Sequence, residues 1–225
     1  MCPPSQLTST SGPAPSSRVY NENVPQSPVS QAAFDHASSI LAPSILSHSM
    51  RVYLYAKALA EHSGSIYATN LTKHDLLFTA CLFHDIGTTD EYDGSQRFEV
   101  EGGDAAVKHL SRFDISEMDK HDVWTAIACH TSPQIAERIG ELSKLVRVAV
   151  ITDFGLKSSA WDVLVPLREQ LEKELARAEI EKVLGDVVVE QAKRRPEKAP
   201  MASWPGVMYK AHLVEPEWSG VNKMF

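Results

Sequence analysis

Leu82-Phe83-His84-Asp85-Ile86-Gly87 sets an imidazole beside a carboxylate at the end of an apolar run. The neighbours of both polar groups prefer burial, and a buried imidazole or carboxylate without a partner is strongly destabilising. A metal ion satisfies both groups at once. Two further residues lie where they can join them: His48 precedes His84 by 36 positions, and Asp153 follows Asp85 by 68. Each sits at or near the end of an apolar helical stripe, so three helices can converge on one point inside a bundle. Thr72 reads as the cap of the helix that carries the opening motif, and Gly87 as its terminator.

The surroundings are helical throughout. His48, Val52, Tyr55 and Leu59 follow one another at helical spacing after Pro43, with Ser44 as the expected cap and Gly64 as the end. Further helices are expected over about 98–113 and 116–130, the first interrupted by Gly102-Gly103. Paired glycines in a helix cost roughly 1 kcal/mol each relative to alanine and point to close approach of a backbone or a ligand. The β-branched run Leu145 to Ile151 suits a strand, yet Leu142, Val146, Ala149, Val150 and Asp153 share one helical face, and helix is the reading adopted. One or two charged helices follow over about 165–193, then an aromatic tail of little periodicity, laid on the body or over a cleft. The fold class is therefore all-α, a helical bundle with a single metal centre. Residues 1–28, broken by prolines among Ser and Thr, read as a flexible leader, and 29–225 as one domain.

Composition narrows the function. The chain has 225 residues, 43% hydrophobic, enough for one buried core. A net charge of -7 argues against a polyanion binder, so no nucleic-acid partner is expected. Three cysteines without CxxC spacing suggest neither a disulfide framework nor a zinc ribbon, and a reducing compartment fits. No run approaches the roughly 18 apolar residues of a membrane span, so no membrane partner is expected. A cytoplasmic location is the expectation, with the nucleus left open, as is assembly into homo-oligomers.

Mixed nitrogen and oxygen donors suit Zn, Mn, Fe or Co better than Ca or Mg, and a site without cysteine suits a water-bearing ion better than a closed structural one. Taken singly, His48 is ordinarily a hydrogen-bonded core histidine and Asp153 a cap. His130 is the remaining candidate for proton transfer, since Val123, Ile127 and His130 share a face; a core histidine bonded to a carbonyl is its bland alternative. Thr88, Glu99 and Thr131 are candidates for the substrate pocket, with a surface carboxylate and a loop hydroxyl after the helix end as the alternatives for Glu99 and Thr88. His109 is the weaker candidate for a second metal.

The ordered set His48, His84-Asp85, Asp153 resembles the signature of the HD-domain metalloenzyme superfamily. His48-Ser49-Met50-Arg51-Val52, His84 to Asp90, Arg97 to Ala106 and His130 to Arg138 together resemble the fungal cyanamide hydratase family, over roughly residues 44–155 and more loosely beyond. That resemblance implies an HD-type α-helical fold, one Zn2+ (iron or manganese would suit the same donors), and a lyase reaction that hydrates cyanamide, a small neutral nitrile, to urea. His48, His84, Asp85 and Asp153 would then hold the metal, with Asp85 and His130 at the reacting atoms. Alternatives are an HD-type phosphohydrolase, hydration of another small nitrile or isonitrile, and a non-catalytic metal-stabilised binding domain.

Overall fold

The computed structural model describes residues 17–158 and 160–225, and among these there is no strand. Residues 1–16 of the expected leader lie outside the described residues. Its remainder packs on the body: helix α1 is Ser17–Asn23, Tyr20 and Val24 are buried, and the hydroxyls of Tyr20 and Ser47 lie 3.0 Å apart. Helix α2, Pro28–Ile40, starts from Ser27, whose hydroxyl accepts the Ser30 amide.

Helix α3, Pro43–Ser63, begins on Pro43 itself, with Ala42 as the flanking residue. Proline lacks the amide that a cap would satisfy and its φ is preset for helix, so Ser44 lies one residue inside and caps nothing. Gly64, at φ +66, ends the helix in the left-handed conformation. A single turn, α4, Ile66–Thr69, leads into α5, Leu71–Phe83. The cap there is Asn70, whose side chain accepts the Lys73 amide, and not Thr72.

The end of α5 places the metal-binding motif. The helix stops at Phe83, His84 is its C-terminal boundary, and Asp85 turns out at φ −109, ψ 5 before a tight 3-10 turn over Ile86–Thr88. Gly87 is not a left-handed terminator. It is required by contact, since a Cβ there would lie 2.1 Å from the carbonyl oxygen of Phe98, the first residue of α6, Phe98–Leu110. Gly102 on α6 answers from the other side, where a Cβ would meet the Phe83 oxygen at 2.8 Å. The expected backbone approach at the paired glycines is thus between α5 and α6, which locks the His84-Asp85 turn against a helix.

Helix α7, Glu117–Ala128, is capped by Ser116, and α8, Ala136–Ile139, is one turn before α9, Glu141–Asp153. The β-branched run is helical, with Leu142, Val146, Ala149, Val150 and Asp153 buried on it. Helices α10, Trp161–Glu174, and α11, Ile180–Arg194, follow. The tail differs from expectation. Trp204–Val214 forms α12, started by Ser203 accepting the Gly206 amide; Pro205-Gly206 in the first turn hid it, because those residues read as breakers.

Helix α3 is the centre of the bundle, packed by α5, α9, α10 and α11. Its buried side chains include His48 and Arg51, so the polar site lies in the middle of the core. Among the described residues no helix is long and apolar enough to cross a membrane.

Candidate metal centre

Three of the four expected ligands converge. One ligand atom each from His48, His84 and Asp85 lies within 4.8 Å of the others, and all three residues are buried. The two imidazoles face each other, Nε2 to Nε2 at 3.1 Å. Asp85 Oδ2 is 3.2 Å from His84 Nε2 and 3.5 Å from His48 Nε2.

The outer nitrogens set the chemistry of the inner ones. His84 Nδ1 is 2.7 Å from the Cys81 carbonyl oxygen, and His48 Nδ1 is 2.7 Å from Asp153 Oδ2. Neither oxygen can donate, so both Nδ1 atoms carry the proton and both Nε2 atoms present a lone pair when the rings are neutral. His130 repeats the arrangement, its Nδ1 donating to the Ile127 carbonyl at 2.7 Å and its Nε2 lying 3.6 Å from Asp85 Oδ1. Neither oxygen of Asp85 has a hydrogen-bond partner. Lone pairs and an unpartnered carboxylate turned toward one another repel unless a cation lies among them. These donors therefore fit a divalent ion of the Zn, Fe or Mn kind, with the Nδ1 contacts orienting the rings from behind.

Proton affinities follow the same logic. Burial pushes His48 and His130 down, His130 to about 3 with help from the neighbouring His84. Burial also opposes charge on His84, but the Asp85 carboxylate outweighs it and draws its pKa up. Burial would raise Asp85, yet His84, His48 and His130 together hold it well below the usual carboxylate range. The carboxylate demands positive charge, from a proton or from a metal.

Asp153 is placed differently from expectation. Arg51 grips it from Nε to Oδ1 at 2.7 Å and from Nη2 to Oδ2 at 2.8 Å, while His48 takes Oδ2 from the other side. Its oxygens are engaged by side chains of α3, so in this arrangement it orients His48 instead of joining the cluster. Sequence order alone cannot show this, because the competing Arg51 is 102 positions away.

The other assignments divide. His130 and Thr131 line a cavity of about 530 Å³ whose floor is His48, His84 and Asp85. Thr88 does not line it; its hydroxyl donates to the Asp85 carbonyl at 2.6 Å and stiffens the turn. Glu99 is fully buried beside the cavity, paired by Arg97 through Nε and Nη2 at 3.0 and 2.6 Å and by the Thr131 hydroxyl at 2.7 Å. His109 is a core histidine donating to the Val29 carbonyl at 3.1 Å, remote from any second ligand cluster among the described residues.

The cavity wall was foreseen only in part, as an aromatic tail laid on the body or over a cleft. Phe98, Val150, Phe154, Leu184, Trp204 and Phe225 line it, drawn from α6, α9, α11, α12 and the last segment. Val150 on α9 and Phe154 just after it could have been found, since they flank Asp153; Trp204 and Phe225 belong to the expected aromatic tail, and Phe98 and Leu184 are brought in by chain folding. At about 530 Å³ the cavity is also far roomier than a molecule as small as cyanamide needs, because its aromatic rings line the space without filling it.

Residues 45–155 match the family model described as HD domain, and the chain carries an HD domain within an all-α bundle. HD domains bind divalent metals, and the His48, His84 and Asp85 cluster lies inside the matched region; together they indicate a metal-dependent enzyme. No curated protein matches the chain.

Proposed function

We propose that this protein is a metal-dependent hydratase that adds water across a nitrile carbon–nitrogen triple bond, with cyanamide to urea as the reaction the sequence resemblance points to. The observation that carries the reading is the combination of a nitrogen and oxygen metal cluster with a cavity whose remaining wall is mostly apolar and offers little charge. His48, His84 and Asp85 would hold a divalent ion, which would lower the pKa of water toward about 7 and supply electrophilic polarisation. His130 Nε2, whose lone pair is left free because Nδ1 donates to the Ile127 carbonyl, accepts a proton from the attacking water and returns one to the nitrile nitrogen. Oxygen thus joins carbon, one carbon–nitrogen π bond opens, and the resulting isourea tautomerises to urea. Asp153 holds His48 in orientation through Nδ1, and Cys81 and Ile127 carbonyls do the same for His84 and His130.

The HD domain also favours a phosphohydrolase, and Arg147 in the cavity lining is the observation on that side. Phosphate binding needs several free cations. Here Arg51 is spent on Asp153, Arg97 on Glu99, and Arg147 on the His130 carbonyl and Glu137. The test is metal analysis of the purified protein with assays for urea from cyanamide and for phosphate from nucleotides. Urea formation that tracks metal content supports the proposal. Metal-loaded protein that releases phosphate and makes no urea overturns it.

A further inference from the structure

The cavity is larger than the reacting group needs, and outside the metal cluster most of its polar lining is already engaged. Pockets of about 300–1,000 Å³ ordinarily enclose drug-sized ligands, and this one is about 530 Å³, while cyanamide is among the smallest of nitriles. The space left beside a bound cyanamide would be walled by Phe154, Trp204 and Phe225. Phe225 meets Phe154 at 4.8 Å and Trp204 at 5.5 Å, edge to face, and Phe98 meets Trp204 at 6.0 Å. These rings form one continuous surface with the metal cluster, since Phe154 lies 4.8 Å from the His48 ring and Phe98 5.7 Å from His130.

Apart from the Trp204 indole N–H, the polar side chains in the lining outside the cluster bond the protein. Thr131 bonds Glu99 and Arg97; Glu181 pairs with Arg177; Arg147 bonds the His130 carbonyl and Glu137. Asn222 donates to the Met208 carbonyl at 3.0 Å and accepts the Met224 amide at 3.1 Å. A polar or charged substituent entering here would lose its water without gaining matched partners, whereas an apolar one gains by leaving water.

We propose that the aromatic wall is a substituent subsite, and that the substrate class is neutral nitriles R–C≡N in which R is an apolar group of about the size of an arene. The inference takes the reacting group from the hydratase reading and the substituent from the cavity. Hydration of such a nitrile proceeds with the same atom balance, giving the amide R–CO–NH2.

The metal-loaded full chain is assayed with cyanamide, acetonitrile and phenylacetonitrile, following urea or amide, and phenylacetonitrile binding is measured separately by calorimetry. Phenylacetonitrile is expected to exceed acetonitrile in kcat/KM by about tenfold to 100-fold, the range expected for burying one aromatic ring. Val221→Trp, at a half-exposed position of the lining, fills the subsite and is expected to lower that ratio by at least about tenfold and to weaken phenylacetonitrile binding comparably. Leu184→Phe on α11 serves as the second variant should the first fail to fold. Equal kcat/KM for the two nitriles, or turnover of cyanamide alone with no phenylacetonitrile binding, overturns the subsite and leaves the hydratase reading standing. Binding that Val221→Trp weakens, with no nitrile hydrated, supports the subsite and overturns the hydratase reading. Neither binding nor turnover overturns both.

Discussion

Arg51→Met removes a guanidinium that is fully buried and bound on three sides. The wild-type side chain makes two short bonds to Asp153 and donates from Nη1 to the Leu175 and Ala176 carbonyls at 2.9 and 3.2 Å, tying α3 to the chain just before α11. Methionine keeps most of the stem volume, so the loss is electrostatic and not a large cavity. It leaves the Asp153 carboxylate with His48 Nδ1 and, at 3.6 Å, Arg177. Removing one partner of a buried pair destabilises by about 3–5 kcal/mol, which for a chain of this length lowers Tm by about 6–20 °C. Burial would raise the Asp153 pKa, but the bonds from Arg51 and His48 outweigh it and hold the group well below the usual carboxylate range. A depressed carboxyl contributes stability that is full above its unfolded pKa of about 3.9 and is lost as pH falls below it. The gap between wild type and Arg51→Met is therefore widest near neutral pH and narrows below about pH 4. Urea denaturation across pH measures this, and an Asp153→Asn background closes a double-mutant cycle. A loss under about 1 kcal/mol at pH 7, or the same loss with and without the Asp153 carboxylate, refutes the reasoning.

The remaining expectations concern the cluster, the glycine contact and acid sensitivity. His84→Ala removes one of the facing lone pairs, so the metal-to-protein ratio by elemental analysis falls toward zero and urea formation with it; a variant that keeps both would sink the site assignment. Gly87→Ala drives a Cβ into the Phe98 carbonyl and is expected to lose about 1–3 kcal/mol or more, exceeding Gly64→Ala, where nothing lies within 4 Å and only the positive φ resists. Equal losses at the two glycines would argue against the α5 to α6 backbone contact. Burial pushes the His109 pKa down from its ordinary 6.5, so the unfolded chain binds its proton first. Its contribution is full above about pH 6.5 and declines below, and His109→Gln should flatten the stability slope between pH 7.5 and 5.5; an unchanged slope counts against a neutral buried His109.

Helix identity was legible wherever apolar spacing and punctuation agreed. The face of Leu142, Val146, Ala149 and Val150 overrode the β-branched composition of α9, and Ser116 and Gly64 marked ends from their own chemistry. Caps failed where two signals stood side by side: Pro43 displaced Ser44, and Asn70 displaced Thr72, because whichever group first frees or fills the terminal amides begins the helix. Helix α12 was missed because Pro205-Gly206, ordinarily breakers, serve as its first turn.

Local helical register and punctuation were enough to place a histidine on α3 and the His84-Asp85 turn after α5, and to put His130 just past α7, which ends at Ala128 and not at residue 130. Packing alone settled how the distant groups are used. Asp153 was expected among the ligands and is held by Arg51 and His48; Glu99 was expected in the pocket and is buried against Arg97; the aromatics of the C-terminal part wall the cavity. The physical reason is the range of the forces involved. Backbone hydrogen bonding and apolar periodicity act over a few neighbouring residues, whereas the partner of a buried charge is whichever group packing brings within about 3 Å, from any distance along the chain.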